Sequence, residues 1–441
     1  FIPGSRLNDV VYFNPADTAY PLGFNPLEVT NPNQKTNISS EVIGVLKRMF
    51  GDSWGPRLEY ILRYTILALL DRPETTMLDI TRMLTDKTFR KETLGYCRDT
   101  VVLQFWNVEF ASWNDKFVAE AVAPVLNKVG AFTANPIIRN IIGQPKSTFN
   151  IRQIMDEGRI LIVNLSKGLI GEDNAAILGS FLVTKIQLAA MSRSDIPDIR
   201  DRRPFYLYVD EFQNFATDSF ATILSEARKY GLNLTVANQY ISQMNETVRD
   251  AVFGNVGTMI SFRVSADDAP ILAKQFEPNF EAVDLLQMHN RNFVINMVIG
   301  GEKTPAFSAR TLELPPSQAD NTPHIIEHSR RMYSRNREDV EREIAAVIMP
   351  PRLHKQPSQP RPQAVAAAAL AQPIQTATSQ PAQGTTVINA QHPAPQPEPV
   401  APVTDSGEVI LQIRGNSAFE SAATDTATPK KRRRRRKKSA T

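Results

Sequence analysis

Two adjacent acidic residues, Asp210 and Glu211, are the strongest candidates for chemistry in the sequence. They follow the apolar run Phe205–Val209 (FYLYV), which predicts a buried strand. At the carboxyl end of a parallel strand, an acid pair faces the crevice where ligands bind. In phosphoryl transfer the first acid can hold Mg²⁺, often through water, and the second can accept a proton from the attacking water. A strand that runs into a solvated acidic turn explains the same residues, so both interpretations stay open.

Polar residues also follow the next predicted strand, Leu232–Ala237 (LNLTVA). Asn238 and Gln239 come directly after it, and an amide in this place can sense a γ-phosphate or orient a water molecule. A polar turn is the alternative. Because two neighbouring strands both end in residues of a catalytic type, the spacing favours the functional interpretation.

A third candidate, Arg228, lies between these strands on a predicted helix at Ser219–Tyr230. An arginine that faces a neighbouring subunit can stabilise the charge of a transition state, as arginine fingers do. A solvated arginine near the C-terminus of a helix is also favourable, because it complements the helix dipole. The residue by itself favours the second interpretation.

The phosphate-binding part of such a site is missing from the sequence. A phosphate loop has the pattern Gly-x-x-x-x-Gly-Lys-Ser/Thr, in which backbone N–H groups cradle the phosphates and the lysine reaches them. None of the 20 glycines is followed by lysine. Since the chain begins at Phe1 and not at a methionine, the simplest expectation is that the loop precedes this residue. A degenerate subunit that never binds ATP is the alternative.

Strand and helix patterns alternate between residues 158 and 311. Further strands are predicted at Ile160–Leu165, Thr258–Phe262 and Phe293–Ile299, and a turn at Gly300 and Gly301 is predicted to join the last of these to Pro305–Thr311 in a hairpin. Apolar strands that alternate with helices are typical of an α/β domain with a mostly parallel sheet and helices on both faces. Val10–Phe13 (VVYF) predicts one more strand of this sheet.

Residues 41–150 have the pattern of an all-α segment. Apolar residues recur at helical spacing through Leu58–Leu70. Three tryptophans fall in this segment, where they predict core anchors, with a stacking platform for bases as the alternative: Trp54, Trp106 and Trp113. The sequence thus predicts an α/β domain made of residues 1–40 and 151–312, an inserted all-α domain at 41–150, and a helical extension at 313–349.

The last segment, residues 350–441, is rich in Pro, Ala, Gln, Ser and Thr. It has too little apolar surface to offset the entropy of ordering, so we predict a disordered tail. The tail ends in nine consecutive basic residues: Lys430, Lys431, Arg432, Arg433, Arg434, Arg435, Arg436, Lys437 and Lys438. Such a run favours contact with nucleic acid by counterion release, with an anionic membrane surface, nuclear import or simple solubilisation as alternatives.

Composition excludes several other classes of protein. The chain is 42% hydrophobic and 22% charged, as is typical of a globular protein, and its only cysteine, Cys97, excludes an internal disulfide framework. We expect Cys97 to be a small buried residue. The most apolar stretches, Leu58–Leu70 and Ala175–Met191, fall short of the roughly 20 residues that span a bilayer, and they predict buried helices.

Several segments together resemble one family. VVYFNPADTAYPLGFNPLE at 10–28 resembles the segment just after the phosphate loop in TraG/TraD-like coupling proteins, which belong to the HerA/FtsK class of P-loop motors. YLYVDEFQNFAT, ARKYGLNLTVANQYISQM and GNVGTMISFRVSADDA resemble later blocks of the same family. The match covers about residues 1–312 and is most specific at 206–243.

This resemblance implies a RecA-like motor domain with an inserted all-α domain, assembled as a hexamer that binds ATP and Mg²⁺ between subunits. It implies that ATP hydrolysis drives DNA, often with an attached relaxase, through a type IV secretion channel at the inner face of a bacterial cell membrane. Carried over by position, Asp210 is the metal-holding acid of the Walker B motif and Glu211 the catalytic acid. Gln239 is the sensor amide and Arg228 the arginine finger. The inserted domain is the part that contacts DNA or the relaxosome.

Two other functions remain open from the sequence. A HerA-like motor for DNA-end processing or genome packaging has the same core motifs, and upstream transmembrane helices would argue for secretion instead. A non-catalytic module that binds DNA or the relaxosome is the alternative from a different class, because the chain contains no phosphate loop.

Overall fold

A computed structural model of the chain describes residues 1–317 and 319–348. The predicted disordered tail, its apolar segment Glu408–Ile413 and its basic run Lys430–Lys438 lie outside the described residues.

The strands pair in two different ways. The described part contains β1 (Val10–Phe13), β2 (Ile160–Val163), β3 (Phe205–Val209), β4 (Leu232–Val236), β5 (Met259–Ser261), β6 (Asn292–Asn296), β7 (Val298–Ile299), β8 (Glu302–Lys303) and β9 (Phe307–Arg310). β1 pairs in parallel with β2, and β3 in parallel with β4. The order β5-β6-β9 is antiparallel throughout, and β7-β8 is an antiparallel hairpin.

The first four strands therefore have the predicted direction, and the predicted hairpin is present. β5 and β6 instead pair with antiparallel register from Met259↔Asn296 to Ser261↔Val294, so the parallel pairs are β1–β2 and β3–β4. Apolar runs with intervening helices are compatible with either direction, since direction depends on how the connecting helices pack and not on the strand residues.

The helices of the inserted segment are α1 (Lys35–Phe50), α2 (Pro56–Asp71), α3 (Asp79–Thr85), α4 (Lys87–Leu94), α5 (Thr100–Gln104), α6 (Phe110–Ser112), α7 (Asp115–Thr133) and α8 (Pro136–Ile142). A π-helical turn at Phe105–Glu109 joins α5 to α6. All of these helices lie in the chain between β1 and β2, which nevertheless pair with each other. The chain thus leaves the sheet after β1 and returns to the neighbouring strand.

An aromatic cluster forms the centre of the helical segment. Trp106 is buried, its indole N–H donates to the Tyr64 carbonyl at 3.2 Å, and the Tyr64 ring stacks on Phe105 with centroids 4.5 Å apart. Trp54 and Trp113 are partly buried against the same core. The prediction that the tryptophans are core anchors is confirmed for Trp106, whose ring has no exposed face on which a base could stack.

Cys97 is buried in the same segment, as predicted, with its Sγ 3.7 Å from the Ala68 carbonyl oxygen. Burial raises the pKa of the Cys97 thiol to about 12. The thiol therefore stays protonated at neutral pH, and the residue acts as a small apolar side chain.

The remaining helices are α9 (Ile151–Glu157), α10 (Lys167–Ile170), α11 (Glu172–Ser192), α12 (Asp218–Glu226), α13 (Glu246–Asn255), α14 (Ala269–Phe276), α15 (Ala282–Leu286), α16 (Thr322–Tyr333) and α17 (Arg337–Ile348). α16 packs beside β1, where the Tyr12 N–H donates to Ser329 Oγ at 2.9 Å. α17 packs beside α8 through an Asn140–Glu341 side-chain hydrogen bond of 3.0 Å. The last two helices thus contact both the strand β1 and the inserted helical segment.

The helix α11 is the apolar helix predicted from Ala175–Met191, and it is longer than that stretch. By length and composition Glu172–Asp195 is sufficient to cross a membrane, but 72% of its apolar window is buried inside the protein. α7 and α8 pass the same test only as a pair that bends by 98°. The prediction of a buried helix is confirmed, because α11 contacts α1, α9 and the turn before β4.

Candidate nucleotide-hydrolysis site

The ends of β3 and β4 lie side by side. Val209 is the register partner of Val236, and the ladder continues one step past the strands. The Ala237 N–H donates to the Val209 carbonyl at 2.9 Å, and the Phe212 N–H donates to the Ala237 carbonyl at 2.9 Å. The acid pair after β3 and the two amide residues after β4 therefore leave the sheet at the same edge, as the sequence predicted.

Glu211 has an unusual backbone conformation. Its φ of 49° and ψ of 44° lie in the left-handed region, which side chains with a Cβ rarely adopt. Such a conformation costs on the order of 1 kcal/mol or more and concentrates at functional sites. The short turn that follows holds it, since the Asn214 N–H donates to the Glu211 carbonyl at 2.9 Å and Phe212 is fully buried against Phe220.

The two carboxylates differ in their surroundings. Asp210 is exposed, and its Oδ1 accepts the Glu211 N–H at 2.9 Å. Glu211 is partly buried, and its Oε2 accepts from the side-chain amide of Gln213 at 2.5 Å. Gln213 is buried and was missed by the sequence analysis. An amide two residues after the acid pair is the only signal that could have indicated it.

These oxygen atoms fit Mg²⁺ but do not make a complete cage. Mg²⁺ in nucleotide sites is bound by one or two carboxylates together with water and substrate phosphates. Within residues 1–317 and 319–348, no group of three or more His, Cys, Asp or Glu side chains could hold a metal ion. Asp210, exposed at the strand end, is therefore suited to a metal shared with a nucleotide.

The amides after β4 are arranged differently from each other. Gln239, the predicted sensor, is exposed. Asn238 is partly buried, and its Nδ2 is buried without a hydrogen-bond partner in the described part of the chain. A buried polar atom without a partner costs about 1–3 kcal/mol and calls for an explanation. Because Asn238 adjoins the acid-pair turn, it is a second candidate for the role predicted for Gln239.

Arg228 lies away from the strand ends in the chain, on the turn Ala227–Tyr230 that connects α12 to β4. Its side chain is exposed, and its carbonyl accepts the N–H of Gly231, which adopts a φ of 69° to end the turn. An exposed arginine at the surface of one subunit can reach a neighbouring one. Its role as an arginine finger stays a prediction.

Comparison with known proteins first defines the fold. A solved structure described as the bacterial conjugative coupling protein TrwBdeltaN70, trigonal form in complex with sulphate, superposes with a TM-score of 0.52 at 15% identity and covers 72% of this chain and 76% of its own. The unbound monoclinic form gives 0.49 at 13%, covering 70% and 74%. TrwB in complex with the ATP analogue ADPNP gives 0.47 at 12%, covering 68% and 73%. The trigonal structure confirms the predicted RecA-like α/β fold.

The sequence around the candidate site also matches a family model. A family model described as the TraM recognition site of TraD and TraG matches residues 204–275. This range contains the acid pair, both amides and Arg228. This segment of the chain is similar to TraD and TraG, and the resemblance predicted from the sequence is confirmed there. No curated protein matches the chain.

Proposed function

We propose that this chain is part of the ATP-driven motor of a conjugative coupling protein, which moves DNA into a type IV secretion system. The observation that carries the proposal is the shared strand edge of β3 and β4. It places an acid pair beside two amides within the segment that matches TraD and TraG.

In this motor Asp210 would hold Mg²⁺, and Glu211 would accept the proton of the attacking water. Bound Mg²⁺ neutralises the charge of the phosphates. Gln213 donates to the Glu211 carboxylate and limits its movement, so the base is held in one orientation. The left-handed backbone at Glu211 turns the chain back toward β4, which brings the amide residues beside the acid pair.

The motor acts as a hexamer, with Arg228 of one subunit reaching the nucleotide of the next. The exposure of Arg228 supports this role. The relaxosome is the second class of partner, since the matched family is described by its recognition of TraM. We place the assembled protein at the inner face of a bacterial cell membrane, where such a motor meets its channel.

A non-catalytic module that binds DNA or the relaxosome is the second candidate function. The match of residues 204–275 to a segment described as a TraM recognition site supports it. The two functions differ in one measurable property, the hydrolysis of ATP in the presence of DNA.

This difference defines the experiment. The complete gene product is assayed for ATP hydrolysis with and without DNA, beside Asp210→Asn and the control Asp201→Asn, an exposed acid on the turn before β3. We expect hydrolysis that DNA stimulates, lost in Asp210→Asn by a factor of about 100 or more and retained in the control. DNA binding without any hydrolysis in the wild type would refute the motor and support the module.

The basic run at Lys430–Lys438 provides an independent test of DNA contact. Each phosphate that a lysine or arginine neutralises contributes about −0.9 to the slope of log affinity against log salt for duplex DNA. Deleting the run is expected to weaken DNA binding and to flatten this slope. An unchanged slope would remove the tail from the DNA-binding surface.

A further inference from the structure

An arginine of the inserted segment contacts the turn that follows the acid pair. Arg48 lies in the last turn of α1, and its Nη1 donates to the Asn214 carbonyl at 3.0 Å. Its Nη2 donates to the Gln213 carbonyl. These two carbonyls belong to a single-turn helix, Phe212–Asn214, which is too short to pair them internally. One guanidinium therefore satisfies both.

The same turn carries the group that holds the catalytic carboxylate. The Gln213 carbonyl accepts from Arg48, and the Gln213 side-chain amide donates to Glu211. The side chain of Asn214 is held as well, since the Lys167 Nζ donates to its Oδ1 at 3.2 Å. A displacement of α1 relative to β3 would thus move Gln213, and Gln213 would in turn move the Glu211 carboxylate, the proposed general base.

The helix α1 is also well placed to move with the inserted segment. It packs on α2, the helix that carries Tyr64 of the aromatic cluster, and on α11, which contacts the turn after β3 and the turn before β4. The helix α1 therefore contacts both the inserted segment and the helix α11 outside it. Rigid helices of this kind transmit small displacements, because packed interfaces have discrete arrangements and do not deform continuously.

We propose that Arg48 is a positioning residue for Glu211 and that it couples the inserted helical segment to the hydrolysis site. The inference rests on the proposed function, since it assigns Glu211 a catalytic role. A partner that docks on the helical segment and shifts α1 would then change the orientation of the base, and with it the rate of hydrolysis. A guanidinium suits this role because its planar fork reaches two carbonyls at once, which the single ammonium of lysine cannot reproduce.

The contact itself is tested without any nucleotide. Hydrogen exchange is measured for the amides of Asn214, Phe215 and Ala216 in the chain alone, for the wild type, Arg48→Ala and Arg98→Ala. Arg98 is an exposed arginine of the same segment and provides the matched control. We expect exchange to be about tenfold faster in Arg48→Ala, because two charge-assisted hydrogen bonds are lost. Unchanged protection would show that Arg48 does not hold the turn.

The functional consequence is tested by ATP hydrolysis in the complete gene product. We expect Arg48→Ala to lower kcat by about 100-fold with KM nearly unchanged, since only the orientation of the base is lost. Arg48→Lys should recover part of kcat, and Arg98→Ala should match the wild type. Equal kcat in the wild type and Arg48→Ala would overturn the inference. A wild type that hydrolyses no ATP would instead refute the proposed motor, and the exchange result would then still decide whether Arg48 holds the turn.

Discussion

The inserted helical segment and the strand pair β3–β4 are packed in opposite ways. The segment surrounds an aromatic cluster in which Trp106 is 3% exposed and the buried Phe105 ring contacts the rings of Tyr64 and Trp106. On β3, Tyr206 is 61% exposed and Tyr208 is 72% exposed, so one face of the strand pair meets solvent while the other packs on the core.

This difference separates residues that stabilise the fold from the candidate functional residues. In the helical segment, large side chains pack against each other, and replacing them should mainly lower the stability of the fold. Around the strand pair, polar groups are exposed or lack partners, as at Asp210 and Asn238. Such groups are maintained at a cost in stability when a ligand or partner uses them.

The largest stability effect should therefore come from the aromatic cluster. Trp106→Ala is expected to lower the free energy of unfolding by about 3–5 kcal/mol, because it leaves a cavity and removes the indole hydrogen bond to the Tyr64 carbonyl. Tyr208→Ala, the matched aromatic truncation on the exposed strand face, should change it by less than about 0.5 kcal/mol. Chemical denaturation of both variants measures the contrast. Equal losses would mean that the two regions are not packed differently.

A pH-dependent effect is expected at Lys185, the charged residue of the apolar helix α11. Its Nζ donates to the Glu28 carbonyl at 2.8 Å beside a cavity of about 580 Å³. Burial lowers the pKa of Lys185 from 10.5 to about 8. Below pH 8 the lysine is protonated in both the folded and unfolded states, so the penalty for burying its charge is fully present. Between pH 8 and 10.5 the folded state loses the proton first, and the penalty is relieved.

The stability of the wild type relative to Lys185→Met should consequently rise from pH 8 to 10.5, by up to about 3 kcal/mol. Thermal or chemical unfolding of the two proteins across this range measures the difference, with pH 7 to 8 as the flat reference. A difference that stays constant up to pH 10.5 would show that Lys185 is hydrated in the folded protein.

A smaller effect is expected where α11 meets the loop after the acid pair. A Cβ at Gly179 would lie 2.3 Å from Phe215 Cδ1 and 2.9 Å from Leu165 Cδ1. Gly179→Ala should therefore displace Phe215 and destabilise the protein by about 1–3 kcal/mol. Gly168→Ala is the matched control, since nothing lies within 4 Å of its Cβ position. If both variants were equally stable, α11 would have to be less closely packed against this loop.

The local pattern of the sequence was sufficient for several parts of the fold. The apolar run before Asp210 predicted β3, and the run before Asn238 predicted β4, because strand patterns depend on neighbouring residues. The antiparallel direction of β5 and β6 was not predictable in this way. Neither was the contact of Arg48 with Gln213, which joins residues 165 positions apart in the chain. The left-handed conformation of Glu211 also depends on the surrounding fold, since glutamate carries no intrinsic preference for it.

The most direct test of the proposed motor separates nucleotide binding from hydrolysis at Glu211. In the complete gene product, binding of ATP and its single-turnover hydrolysis are measured for the wild type and Glu211→Gln. A carboxylate that acts only as the general base contributes about 10²–10⁴-fold to the rate and little to binding. We therefore predict ATP binding close to that of the wild type, with hydrolysis slowed by about 10²–10⁴-fold. Equal hydrolysis rates in the two proteins would contradict the assignment of Glu211 as the catalytic base, and with it the hydrolysis site at the β3–β4 edge.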